Sequence, residues 1–129
     1  MAKTRTIIVA VTMAGLAGIG LAGAESAEDE VERGRLLAKQ HCSRCHVVDD
    51  ANPFSGIAST PSFKLLVTAL ADWRDRFETF HTRRPHPSVV RFEGIAPPGD
   101  GLPTMKTVDM KLEDIDAIVA FASWLKQQQ

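Results

Sequence analysis

Apolar residues recur along this chain at the three- and four-residue steps of helices, not at the alternating step of half-buried strands. Val31, Gly34, Leu37 and Ala38 make one narrow face and predict a first helix from Ser26 to Gln40. Glu25, Glu28, Asp29 and Glu30 lie near its start, where acids suit the helix dipole. Phe63, Leu66, Leu70, Trp73, Phe77 and Phe80 predict a second helical region, with Ser62 as its N-cap and a break near Ala71-Asp72. Ile115, Ile118, Val119, Ala122 and Leu125 form the stripe of a last helix, from Lys111 to Lys126, flanked by Phe121 and Trp124. Between the helices, Asn52-Pro53, Ser55-Gly56 and Thr60-Pro61 mark residues 47–61 as loop. Residues 82–109 hold five prolines and read as a long wrapping loop. The only short strand candidate is Ser88–Phe92, so the expected class is all-α.

Length and composition narrow the field. At 129 residues the chain is one domain long. With 44% hydrophobic and 24% charged residues it has a globular balance, which argues against wholesale disorder. A formal charge of −1 leaves no basic excess for nucleic acid, and two cysteines cannot make a disulfide-rich scaffold.

The N-terminus has its own pattern. Lys3 and Arg5 precede 19 uncharged residues, Thr6 to Ala24, which end in Ala22-Gly23-Ala24 before the acidic run from Glu25. This is the layout of a secretory signal peptide, and its four glycines and small-residue ending favour cleavage over retention as an anchor. The expected organisation is a signal peptide over residues 1–24 and a single domain over 25–129, exported to the periplasm. Without Lys3 and Arg5 the domain has 13 basic and 16 acidic residues, a formal −3.

Export changes how Cys42-Ser43-Arg44-Cys45-His46 is read. The sequence is C-x-x-C-H, the attachment pattern for c-type haem. Two thiols at this spacing can reach the two vinyl groups on one haem edge, and the adjoining histidine is then held under the iron as proximal ligand. A bare C-x-x-C also suits a redox disulfide, but that reading wants a βαβ context that is not visible here. A zinc site wants two further ligands; His41 could be one, and there is no second cysteine pair.

With these residues in view, the chain resembles class I c-type cytochromes. Gly34, eight residues before Cys42, is similar to the glycine on which their terminal helices cross, and Asp114-Ile115-Asp116-Ala117-Ile118-Val119-Ala120-Phe121 is similar to their C-terminal helix. The resemblance implies N- and C-terminal helices packed around one covalently attached haem, with Ile118 and Phe121 facing Gly34. It implies that Pro61, in Thr60-Pro61-Ser62-Phe63, offers its carbonyl to the proximal His46. It also implies that Met105, in Leu102-Pro103-Thr104-Met105, is the distal ligand. The long proline-rich stretch departs from the family pattern.

Met110 and His86 are rivals for the distal position. Met110 falls near the start of the last helix, where core filling is the plainer role. His86 stands between two prolines in Arg83-Arg84-Pro85-His86-Pro87, which hold an extended backbone able to present an imidazole; a surface-loop histidine is the plainer reading. His81 is expected to cap the second helix and His41 to be exposed near the haem edge. Arg83, Arg84 and Arg91 form a basic run suited to haem propionates or an acidic partner, or simply to solvent. Trp73 could donate its indole N–H to a haem propionate, but core packing is the plainer role. The implied function is one-electron transfer between redox partner proteins by a monomer holding one haem c, not catalysis. A haem-based gas-binding sensor with an open or weakly ligated sixth site is the alternative.

Overall fold

A computed structural model describes residues 21–96 and 107–129. The predicted helices form, in the order α1 (Leu21–His41), α2 (Phe63–Ala69), α3 (Trp73–Glu78) and α4 (Glu113–Gln127). Single 3-10 turns at Phe80–Thr82 and His86–Ser88 follow α3. No helix among the described residues is long and apolar enough to cross a membrane. Most of the segment read as a signal peptide lies outside the described residues.

α1 and α4 form the frame. They cross at Gly34, which has no side chain to hold the backbones apart; a Cβ there would meet the Ala117 carbonyl and, at 3.1 Å, the Ile118 nitrogen. Arg33 of α1 donates from Nη2 to Asp114 Oδ1 at 2.5 Å, and the other oxygen of Asp114 accepts the backbone N–H of Lys111 at 2.8 Å. That carboxylate starts α4, whose first turn also holds Glu113 and Asp116 at the positive end of the helix dipole. The stripe Ile115, Ile118, Val119, Ala122 and Leu125 is buried as expected, and Phe121 is fully buried with it. Trp124 remains exposed at the edge.

α2 and α3 pack on α4 and supply aromatics to the same core. Ser62 is the N-cap of α2, its Oγ accepting the N–H of Leu65 at 3.1 Å. The helical run stops at Leu70, whose backbone is extended, and restarts after Asp72. After this break Phe77 packs onto Phe63, their rings edge to face with centroids 5.0 Å apart, and Trp73 packs on Phe77 at 6.2 Å. Trp73 is buried, with Lys126 and Arg74 over its ring, as its reading as a core residue anticipated.

The all-α expectation is corrected. The stretch 82–109, read as a loop, contains β1 (Val90–Phe92), within the strand candidate Ser88–Phe92, and runs into β2 (Val108–Met110); the two pair in parallel with Val90 opposite Val108 and Phe92 opposite Met110. The molecule is therefore a mixed α/β structure in which helices dominate. Three-residue strands are too short to show alternation in a sequence, and their partners are separated by a proline- and glycine-rich connection. Met110, placed by its spacing near the start of the last helix, instead ends β2 and is buried against Phe92 and the core. The ladder continues past the strands, as Val108 N–H donates to Val89 O at 2.7 Å and Glu93 N–H to Met110 O at 3.3 Å.

Candidate functional site

The site begins where α1 ends. Cys42 N–H closes the last helical bond, to Ala38 O at 2.8 Å. The chain then turns tightly, with Cys45 and His46 N–H both donating to Cys42 O, at 3.0 and 2.9 Å. Ser43 Oγ donates to Lys39 O at 2.6 Å and ties the turn back to the helix. Cys42 and Cys45 are both free thiols and half-buried. Burial pushes the Cys42 thiol up to about 12, and the neighbouring Cys45 adds to the rise. It is therefore held protonated.

The loop 47–61 folds back over this turn. Ile57 N–H donates to Cys45 O at 3.0 Å, and Phe63 N–H to Val47 O at 2.9 Å. The approach requires Gly56, whose φ is +82° and which passes so close that a Cβ would stand 2.8 Å from Cys45 O. Asp49 anchors the loop to α1 through Lys39 Nζ at 3.1 Å and Arg35 Nη1 at 3.4 Å. Burial opposes ionisation of that carboxyl, but the cations and the Ala51 N–H outweigh it and hold it below the usual carboxylate range.

This fold-back brings Pro61 to His46. The two meet at 2.7 Å between His46 Nδ1 and Pro61 O. A carbonyl can only accept, so the bond requires Nδ1–H and leaves the lone pair on Nε2. Phe63 sets its ring edge to face against the imidazole with centroids 5.7 Å apart.

A second imidazole stands across from the first. The His46 and His86 rings have centroids 6.2 Å apart and planes within 8° of parallel. His86 Nδ1 is 3.0 Å from Arg83 O, so it too donates to a backbone carbonyl and keeps its lone pair on Nε2. Phe80 packs edge to face on the His86 ring at 5.4 Å. Burial lowers the pKa of His86 and His46 adds to the lowering, against the opposing effect of the carbonyls of Arg83 and Phe80. Arg83 is itself fixed to α3, through Asp75 Oδ2 at 2.5 Å and Thr79 Oγ1 at 3.0 Å. The Arg83-Arg84-Arg91 run is thus divided, with Arg83 turned to Asp75, Arg84 exposed, and Arg91 on β1 in register with Asp109.

The remaining sequence candidates fall elsewhere. Met105 lies outside the described residues. Met110 is in the β2 core. His81 lies in the first 3-10 turn against Phe80 and Phe92, and its Nδ1 is buried without a hydrogen-bond partner among the described residues. His41 is half-buried at the last residue of α1. Among the described residues no three His, Cys, Asp or Glu side chains converge as a site for a bare metal ion.

The donor set would suit a haem c held by its edge: two free thiols in one turn beside an imidazole whose Nδ1 faces a carbonyl and whose other nitrogen, Nε2, is left to act as a ligand. The sequence pattern found these residues. It did not reveal the apposition of His46 and His86, which depends on a turn ahead of β1. Comparison with protein-family models, with curated proteins and with solved structures finds no match to this chain.

Proposed function

We propose that this chain is a periplasmic mono-haem c-type cytochrome that carries single electrons between redox partner proteins. The observation that carries this reading is the 2.7 Å bond from His46 Nδ1 to Pro61 O in a C-x-x-C-H turn. A histidine that ligates metal through one nitrogen characteristically donates the other N–H to a carbonyl or carboxylate, which fixes its tautomer and raises its basicity. The periplasmic location rests on the signal-peptide layout of residues 1–24, and the resemblance to class I c-type cytochromes supports the carrier role.

Cys42 and Cys45 would hold the haem through thioether bonds, and His46 would bind its iron. A bound haem supplies reversible one-electron chemistry. The chain contributes position and environment. The α1–α4 frame fixes the attachment turn, and the Gly56 loop covers it. Phe63 places an apolar ring beside His46, with Phe77 packed against Phe63, and this favours a low-dielectric setting on that side.

The test is maturation in a periplasm equipped with haem-attachment machinery, followed by a denaturing gel stained for haem and a reductive titration. The expected protein keeps its haem through denaturation and takes up one electron per chain. Cys42→Ala with Cys45→Ala abolishes covalent attachment. A colourless product, under conditions that mature a control cytochrome, overturns the proposal.

A further inference from the structure

We propose that His86 is the second axial ligand, so that the iron is held between two imidazoles, His46 and His86. The inference rests on the haem reading above and deepens it. An imidazole nitrogen binds a first-row metal at about 2 Å and lies about 1 Å from its ring centre, so two imidazoles on opposite sides of one ion have centroids about 6 Å apart. The observed separation is 6.2 Å. That separation matches the span of two axial ligands.

Three further observations agree. Both rings donate Nδ1–H to a backbone carbonyl, Pro61 O for His46 and Arg83 O for His86, so both keep Nε2 as the ligating atom. Each ring is braced edge to face by a phenylalanine, Phe63 on one side and Phe80 on the other. The His86 turn is anchored at both ends. Arg83 binds Asp75 and Thr79 of α3 before it, and Val89 O accepts Val108 N–H after it. A histidine on an idle surface loop requires none of this support.

Parallel imidazole planes make the proposal specific. Two ligand planes within 8° of each other lift the degeneracy of the iron d orbitals strongly, and the ferric protein should give a well-resolved rhombic low-spin electron paramagnetic resonance spectrum. Perpendicular planes would give one strongly anisotropic feature instead. A methionine ligand would add the weak near-infrared band of an iron–sulfur bond and raise the potential.

The experiment compares the wild type with His86→Ala, His86→Met and Met105→Ala, each first scored for covalent haem by gel stain. The wild type should show the rhombic low-spin signal, lack the iron–sulfur band and bind carbon monoxide slowly when reduced. His86→Ala should lose the low-spin signal, bind carbon monoxide readily, and regain the wild-type spectrum with added imidazole. His86→Met should gain the iron–sulfur band and shift the potential upward. Met105→Ala should leave the spectrum unchanged. An iron–sulfur band in the wild type that disappears in Met105→Ala overturns the His86 assignment while leaving the haem reading intact. A high-spin wild type that binds carbon monoxide at once overturns it too, in favour of an open sixth site. Absence of covalent haem in the wild type overturns both proposals.

Discussion

Gly34 and Ala117 meet backbone to backbone where α1 crosses α4, and a Cβ on Gly34 would lie 1.8 Å from the Ala117 carbonyl oxygen. The obstacle is main chain, so no rotamer change can relieve it. Gly34→Ala should therefore destabilise the protein, although alanine in a helix is intrinsically favoured over glycine by about 1 kcal/mol. Overpacking costs about 1–3 kcal/mol, and an obstacle made of backbone belongs at the upper end of that range. A lower denaturant midpoint with an unchanged slope is the expected outcome. A stabilised variant would show that the helices do not touch there.

Asp114 joins the same two helices by charge. It is 8% exposed and serves Arg33 and the Lys111 N–H together. Asp114→Ala should cost about 1–3 kcal/mol, because the Lys111 N–H and Arg33 both lose a charged acceptor that is itself buried. Asp114→Asn keeps an acceptor and should cost less. Chemical denaturation of both variants checks the order; equal losses would mean that the ion pair, not the N-terminal hydrogen bond of α4, dominates.

The loop anchor should be sensitive to acid. Asp49 has its pKa lowered in the fold, so its contribution is fully present above its ordinary value of 3.8 and is lost as the pH falls through the lower folded value. Asp49→Asn should therefore destabilise the protein at neutral pH, and the difference from wild type should shrink as the pH is lowered from neutral to below 3.8. Denaturation midpoints at the two pH values test this. A wild type-to-variant gap that is the same at both would remove the charge from the explanation.

Long-range apolar stripes were legible in the sequence because a helix repeats its buried face many times. Phe63, Trp73 and Phe77 on one side and Ile115, Ile118 and Leu125 on the other all lie in the core. Ser62 was legible as a cap from a single residue, because its chemistry is local. Val90–Phe92 was legible only as the short candidate Ser88–Phe92, and Val108–Met110 was not, since three residues carry no period and a parallel pair needs a partner far along the chain. The site divides the same way. Cys42, Cys45, His46 and Pro61 follow from spacing and resemblance. His86 could be named as a rival, but its place opposite His46 depends on Arg83 reaching Asp75 and on the ladder after Val89.

Two glycines separate backbone conformation from close contact. Gly56 and Gly94 both have positive φ, +82° and +76°. A Cβ on Gly94 meets nothing within 4 Å, whereas one on Gly56 stands 2.8 Å from both Cys45 O and His46 C. Gly94→Ala should cost about 1–2 kcal/mol, the penalty for placing a side chain in the left-handed region. Gly56→Ala carries that penalty and must also push the loop off the Cys42–His46 turn. It should lose more stability, weaken the Ile57-to-Cys45 hydrogen bond and lower the yield of covalently attached haem, whereas Gly94→Ala leaves that yield at the wild-type level. Thermal unfolding read beside haem yield distinguishes the two. Equal stability losses with equal haem yields would mean that the Gly56 loop does not close on Cys45 and His46.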